Sequence, residues 1–447
     1  MKRLLAVTGA ALIVSACAGV EPEVMIPVVD APPAYATGLP PSGIERDWWL
    51  GYNDPVLDAL VRQGLAANLD IDAATARLGS AAELLRAERS DLVPSVDGTA
   101  EIGASLTNDS AITASAGLFG LFNPDINGRL AAEVRAAAAD YAEAEYLLAD
   151  QRRIVAAALA SQYIEYRRTG AQLELLEQST DLQEQTLRIV TLRFEAGLAA
   201  NLDVRRAAAD LAQTRARRGL IEIARNEAQN ALAILLAEPP GAFAVPTREE
   251  AEIPDYGLGP PAGVPADLLR RRTDILAAEA RLEQAAAAIG IERADLRPSL
   301  TVPGTIGIGD GTLGGLFSDF LVGIGAALDL PLFDGGRRRA EVAAAEFAAQ
   351  ARLAEYNSVF LNALGEVENA LIAIEAYQQR SEALSEAIEQ SEVALSQSNA
   401  LYREGLASLF DVLDAQRQLI ASRQSLIDSD AALASSHTAF HAGIGSN

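Results

Sequence analysis

Two pairs of titratable side chains stand at helical spacing near the C-terminus: Asp411 with Asp414, and His437 with His441. Residues three or four apart share one helix face, so either pair could hold a cation between its members. Neither spacing settles the chemistry. Ser408 precedes Asp411 by three, the pattern of an N-capping hydroxyl with an acid in the first turn, and the positive helix end favours carboxylates there. His437 and His441 could share a metal, but two neutral ligands without a cysteine or a third acid are more often solvent or collar residues. They are the only histidines, and Cys17 the only cysteine, in 447 residues. A disulfide within the chain and a multi-cysteine zinc site are thereby excluded. The serines have no histidine partner in sequence to activate them. Gly307-x-Gly309-x-Gly311 imitates a phosphate loop, but no helix follows it. No enzyme and no cofactor is expected. Acidic residues outnumber basic ones 61 to 36, a net charge of −25, which argues against a nucleic-acid partner.

The cysteine has a different use. Met1-Lys2-Arg3, an apolar run from Leu4 to Val14 and Val14-Ser15-Ala16-Cys17 form a secretory signal whose end resembles a bacterial lipobox. The run is too short to span a bilayer, which takes about 20 residues. The signal is expected to leave after Ala16, with Cys17 diacylated as an anchor in outer-membrane lipid. From Cys17 to about Pro41 the chain has no periodicity and predicts an extended tether. Order is expected from Trp48-Trp49, with Asp54-Pro55 starting a helix.

The elements that follow occur twice. Leu69 to Ser95 matches Thr273 to Ser299 at an offset of 204, through Arg77-Leu78 and Arg281-Leu282; Gly128-Arg129 matches Gly336-Arg337 at 208. Phe194-Glu195-Ala196-Gly197-Leu198-Ala199 matches Tyr402-Arg403-Glu404-Gly405-Leu406-Ala407, again at 208. Such register means one duplicated unit of about 200 residues. Each copy begins with a helix ended by proline. Period-2 segments come next: Val96, Ala100, Ile102, Ala104, then Ile112, Ala114, Ala116, Leu118 in the first copy; Leu300, Val302, Ile306, Ile308, then Phe320, Val322, Ile324, Leu328 in the second. Thr107–Ser110 and Gly309-Asp310-Gly311 supply the turns.

About 70 residues without proline then predict a helix on the order of 100 Å long in each copy, followed by a return helix of about 35 residues. Steps of three and four at Leu173, Leu176, Thr180, Gln183, Leu187, Val190 and Phe194, and from Ile374 through Ser381 and Leu395 to Tyr402, are a coiled-coil seam. Four strands cannot stand alone in lipid, where every backbone donor and acceptor needs a partner. Closure takes about eight strands or more, so a dimer would supply eight and a trimer twelve. Asp97 and Glu101 on the polar face favour a water-filled lumen and hence twelve.

With these residues in view the chain resembles the TolC-type outer-membrane efflux factors, close to the OprM-like (NodT-type) lipoproteins. The resemblance spans essentially the whole mature chain and is carried by Trp48-Trp49 to Asp54-Pro55, Arg272-Thr273-Asp274-Ile275 to Leu282, Leu330-Pro331-Leu332-Phe333-Asp334-Gly335-Gly336-Arg337, and Tyr402 to Gln416. It implies a membrane α+β fold: a homotrimer with a twelve-stranded β-barrel on an α-helical periplasmic barrel. It also implies work with a periplasmic adaptor and an inner-membrane RND transporter. Asp411 and Asp414 match the family's periplasmic gate and Tyr402 a clamp tyrosine, while a clamp arginine of some relatives is Ala407 here. The turns Gly197-Leu198-Ala199 and Gly405-Leu406-Ala407 become adaptor-docking tips, each also a helix C-cap. The expected divisions are signal 1–16, tether 17–47, equatorial entry 48–94, β-hairpin 95–123, helical hairpin 124–237, seam 238–271, helix 272–298, β-hairpin 299–331, helical hairpin 332–436 and tail 437–447. A periplasmic coiled-coil scaffold lipoprotein and a type I secretion channel are the competing functions. A scaffold has no reason to carry alternating hairpins.

Overall fold

The computed structural model describes residues 47–105, 111–246, 252–257, 269–308 and 320–445. Cys17, the signal, nearly all of the tether and the turns at 107–110 and 309–311 lie outside the described residues.

A short 3-10 turn, Trp48–Tyr52, precedes α1 (Pro55–Ala67) and α2 (Leu69–Ser90). Asp54 starts α1, its carboxylate accepting from the Val56 and Leu57 amides at 2.9 and 3.2 Å, while Pro55 occupies the first helical position, where its missing N–H costs nothing. Strands β1 (Ser95–Ser105) and β2 (Ala111–Phe122) follow, then α3 (Arg129–Glu195), α4 (Asn201–Ala216) and α5 (Arg218–Leu235). The second copy comprises α6 (Thr273–Ala294), β3 (Ser299–Ile308), β4 (Phe320–Ile324), β5 (Ala327–Asp329), α7 (Arg337–Glu404) and α8 (Leu409–Gly443). The offset of 204 relates both ends of α2 to both ends of α6, and 208 relates the starts of α3 and α7.

Two differences from the expected elements are local. The fourth strand is broken between Ile324 and Ala327, where the Gly325 amide turns to the Pro303 carbonyl at 2.9 Å. The first return helix is likewise divided at Arg217, whose amide bonds three residues back to Thr214 at 3.1 Å; α8 runs unbroken through 35 residues.

Contacts divide the chain into two units. The first holds Thr75–Leu147 and Asp274–Val359, and with them the sheet. All pairings are antiparallel in the order β1-β2-β3-β4, with β5 also on β3. The two hairpins are thus one sheet, joined by Ala116–Phe122 against Val302–Ile308. Directly opposed residues share a face, and rows such as Ala100–Ala116–Ile308–Phe320 and Gly98–Leu118–Ile306–Val322 collect every apolar side chain named above on one side. That side carries only apolar residues or glycine, and most of its large ones are exposed, Ile324 by 85%. Asp97, Thr99, Glu101, Thr113, Ser115 and Thr305 lie on the other. Among the described residues, β1 and β4 have one neighbour each, so both edges offer unpaired backbone groups.

The second unit holds the 3-10 turn, α1, Leu148–Thr273 and Phe360 onward. Its core centres on Trp48, Leu57, Leu159, Tyr163, Ile164 and Leu232, all buried. Two tyrosine hydroxyls inside it are paired: that of Tyr163 donates to Asp54 at 2.9 Å and that of Tyr52 to the Ala434 carbonyl at 2.6 Å. Arg272 (2% exposed) donates to Glu366 at 2.9 Å and to the Gly443 carbonyl at 2.5 Å.

Candidate functional site at the helix tips

Both long helices end in the same motif. Gly197 and Gly405 sit at φ 78° and 76°, a conformation glycine adopts without cost. The amides of Leu198 and Leu406 reach five residues back, to Arg193 and Leu401, and those of the glycines three back, to Phe194 and Tyr402. That is the Schellman pattern. It usually brings an apolar contact under the turn, yet Leu198 and Leu406 remain 68% and 76% exposed. Ala199 and Ala407 are half-buried beside them.

A small core fixes the two tips together: Val190, Leu395, Tyr402, Leu409, Val412, Leu413 and Leu419 are buried in one cluster. Above it Arg193 joins the repeats. Its guanidinium lies 4.8 Å from the Tyr402 ring centroid and donates to the carbonyls of Tyr402 and Arg403 at 3.1 and 3.2 Å. A cation at the negative end of α7 is favoured electrostatically as well. Nothing in the repeats announces Arg193, because its counterpart is Leu401; an arginine in a helix's last turn was the available signal. Burial raises the Tyr402 phenol above its ordinary value, and Arg193 opposes the shift. The hydroxyl is buried with no hydrogen-bond partner among the described residues.

Asp411 and Asp414 separate in role. Asp411 closes a capping box, accepting from the Ser408 amide and hydroxyl at 2.8 Å each while its own amide donates to the Ser408 hydroxyl at 3.4 Å. These bonds hold its carboxyl below the ordinary carboxylate range. Asp414 is exposed, with Arg417 at 3.8 Å. The first copy has neither feature: α4 begins at Ala200 without a side-chain cap, and the residue matching Asp414 is Arg206.

The coiled-coil seam in α7 lies where the spacing placed it, with Ile374, Leu395 and Tyr402 buried and the positions between them half-buried. In α3 the stripe is shifted. Gln172, Leu175, Leu176, Ser179, Gln183, Thr186 and Val190 are buried, whereas Leu173, Thr180 and Leu187 are half-buried and Phe194 is exposed. Ser179 and Thr186 hide in the seam by returning their hydroxyls to the carbonyls four residues back, at 2.6 and 3.1 Å. Gln416 then donates to the Thr186 hydroxyl at 2.7 Å.

The histidines are core residues. His437 stacks on Tyr256 at 4.7 Å and His441 on Trp48 at 5.5 Å. Both are 5% exposed, and burial lowers them to about 4 and about 3 from an ordinary 6.5. Among the described residues no three His, Cys, Asp or Glu side chains gather as a metal site. Because the folded pKa values lie below the unfolded one, the unfolded chain binds more protons between them. Stability is therefore whole above about pH 6.5 and falls as pH drops towards 4. The melting temperature of the purified protein should fall on acidification across this window, and less steeply in His437→Phe/His441→Phe. An identical slope in the variant would refute this origin.

The family model for outer membrane efflux proteins matches residues 60–238 and again 264–446, one match for each copy. Nodulation protein T of Rhizobium leguminosarum bv. trifolii is 30% identical over 393 residues, covering 85% of this chain and 83% of its own. The pyoverdine export outer membrane protein OpmQ of Pseudomonas aeruginosa is 29% identical over 444 residues, 95% and 92% of the two chains. Among solved structures, the outer-membrane channel OprN superposes with a TM-score of 0.87 at 29% identity over 96% of this chain and 99% of its own. CusC does so with 0.88 at 25%, over 96% and 100%.

Proposed function

Given that the chain belongs to the outer membrane efflux protein family and acts as an efflux channel component at the outer membrane, we propose that three copies join their sheets into one barrel of twelve strands. The observation that carries this reading is the sheet itself: apolar or glycine across all its strands on one side, mostly polar or glycine on the other, and open at both edges among the described residues. Lipid tolerates such a sheet only when it closes, and Asp97 and Glu101 then face water in the lumen. The long helices below form the periplasmic part of the duct. A periplasmic adaptor docks on the tips at Gly197-Leu198-Ala199 and Gly405-Leu406-Ala407 and connects the channel to an inner-membrane RND transporter. Asp411, Asp414 and Tyr402 close the periplasmic end, the buried Tyr402 hydroxyl finding its partner on a neighbouring copy. The protein conducts material and converts none. A periplasmic scaffold would have no use for a lipid-type face.

The same reading gives Cys17 its acyl chains, a second anchor beside the barrel. Native mass spectrometry of protein extracted from membranes tests both statements at once. Three chains should fly together, each lacking residues 1–16 and carrying acyl mass on Cys17. Single chains would sink the barrel, and an unacylated N-terminus the anchor.

A further inference from the structure

The four connections between the sheet and its helices all lie at one end of the sheet. Ser95 opposes Leu121, Phe122 opposes Val302 and Ser299 opposes Asp329, so β1 and β3 begin where β2 and β5 finish. Each connection leaves a large apolar side chain exposed: Leu92 and Val93 before β1, Ile126 after β2, Leu296 before β3, Leu332 and Phe333 after β5. The last two are exposed by 90% and 93%. Clustered apolar exposure of this kind marks a surface that something covers.

The sheet shows what covers it. Leu328 opposes Leu300 and so lies on the apolar side. No turn or bend intervenes from Leu330 to Asp334, and Pro331 holds Leu330 to extended backbone. Leu330 and Leu332 therefore follow Leu328 at period 2 and prolong the apolar row past the last strand pairing. The first copy does not do this. Pro124 and Asp125 occupy the positions of Leu332 and Phe333, and Asp125 is engaged at the start of α3, accepting from the Leu130 and Ala131 amides at 2.9 Å each. In the second copy the capping acid comes one residue later. Asp334 accepts from the Gly336 and Arg338 amides at 2.9 and 3.2 Å, which frees position 333 for phenylalanine. Gly335 and Gly336, at φ 66° and 92°, then turn the chain into Arg337-Arg338-Arg339 at the start of α7. Arg337 and Arg339 are exposed.

We infer that the periplasmic surface of the bilayer rests on this end of the sheet: Leu332 enters the boundary between acyl chains and headgroups, Phe333 lies among the headgroups, and Arg337 and Arg339 bind phospholipid phosphates. The partner is a lipid surface because the row leading to Leu332 is continuous with the side of the sheet read above as facing lipid. Basic side chains follow the apolar pair within one helical turn, so hydrocarbon and phosphate are met in the order in which a bilayer presents them. This rests on the barrel proposed above and adds the level on the chain at which the membrane ends.

Full-length protein in vesicles of phosphatidylethanolamine and phosphatidylglycerol tests the level. Nitroxide labels on Ile324→Cys, Leu332→Cys and Leu192→Cys report collisions with oxygen, which concentrates in hydrocarbon, and with a water-soluble nickel chelate. Oxygen should dominate at Ile324→Cys and nickel at Leu192→Cys, close to the helix tip. At Leu332→Cys oxygen should exceed nickel, with a ratio between those two. A ratio there equal to that of Leu192→Cys, or shielding from both reagents by covering protein, overturns the inference and leaves the barrel standing. Anything but oxygen dominance at Ile324→Cys would instead overturn the barrel on which it rests. As a second measure, trimers of Arg337→Gln/Arg339→Gln should bind phosphatidylglycerol, counted by native mass spectrometry, about fivefold more weakly for each arginine removed. Binding equal to that of the unmodified protein overturns the phosphate contact.

Discussion

Ala199→Glu and Ala407→Glu should each leave trimers intact and abolish export, so that a strain carrying either variant is as susceptible as one lacking the protein. Both alanines are half-buried at the turns that end α3 and α7, next to leucines that the described residues leave largely exposed. A Schellman turn alone would use such a leucine to seal the helix end. Here Leu198 and Leu406 stay largely exposed, and Leu401 beside the second turn is itself 45% exposed. Exposed apolar side chains on rigid turns are suitable anchors for a docking helix. A buried anchor of this kind is worth about 2 kcal/mol or more, roughly thirty-fold in affinity, and a carboxylate forced beneath it would cost at least that. The turns should survive, because the left-handed residue and its hydrogen bonds belong to the glycines. Export at the wild-type level by both variants, with trimers present, would remove the docking role.

The second large effect is expected at Asp411 and Asp414. In bilayer recordings Asp411→Ala/Asp414→Ala should raise conductance and weaken block by divalent or trivalent cations. Three copies would bring six carboxylates near one axis, a field that attracts cations. The capping box introduces an ambiguity that a further variant removes. Alanine at 411 loses both the charge and the bonds to Ser408, and the start of α8 should fray in that variant. Asparagine keeps an oxygen to accept from the Ser408 amide but carries no charge. If Asp411→Asn/Asp414→Asn weakens cation block as alanine does, the gate is electrostatic. If asparagine behaves as wild type while alanine opens the channel, Asp411 acts through the helix end. Arg193 then becomes the residue to follow, since it already ties the two tips within one chain.

What the sequence made legible follows from locality. Period-2 segments, the capped start at Asp54-Pro55 and the glycine turns at the helix tips are each decided within a few residues, and they stand where spacing placed them apart from the break between Ile324 and Ala327. The duplication was legible too, because identities recur at a constant offset. The pairing of β2 with β3 was not, since it joins segments from different repeats. The α3 seam shifted because Ser179 and Thr186 look polar until their hydroxyls return to the helix backbone. The break at Arg217 has no proline to mark it; Gly219 and three nearby arginines, Arg215, Arg217 and Arg218, were the only hints. Burial differs most between α2 and α6, whose sequences match best, because burial depends on neighbours and not on the helix itself.

The break at Arg217 bears on mechanics. A continuous helix carries axial load along its whole hydrogen-bond ladder, as α8 can through its 35 residues. A helix whose ladder tightens to three-residue bonds at one point concentrates bending there, as α4 and α5 do at Arg217. Of the two return helices in each chain, one is a strut and the other a jointed link. In the proposed trimer, stiff staves would alternate with compliant ones around the ring. A push at the tips would then fold the ring at three fixed places, and the force needed to dilate it would be set by the compliant staves alone.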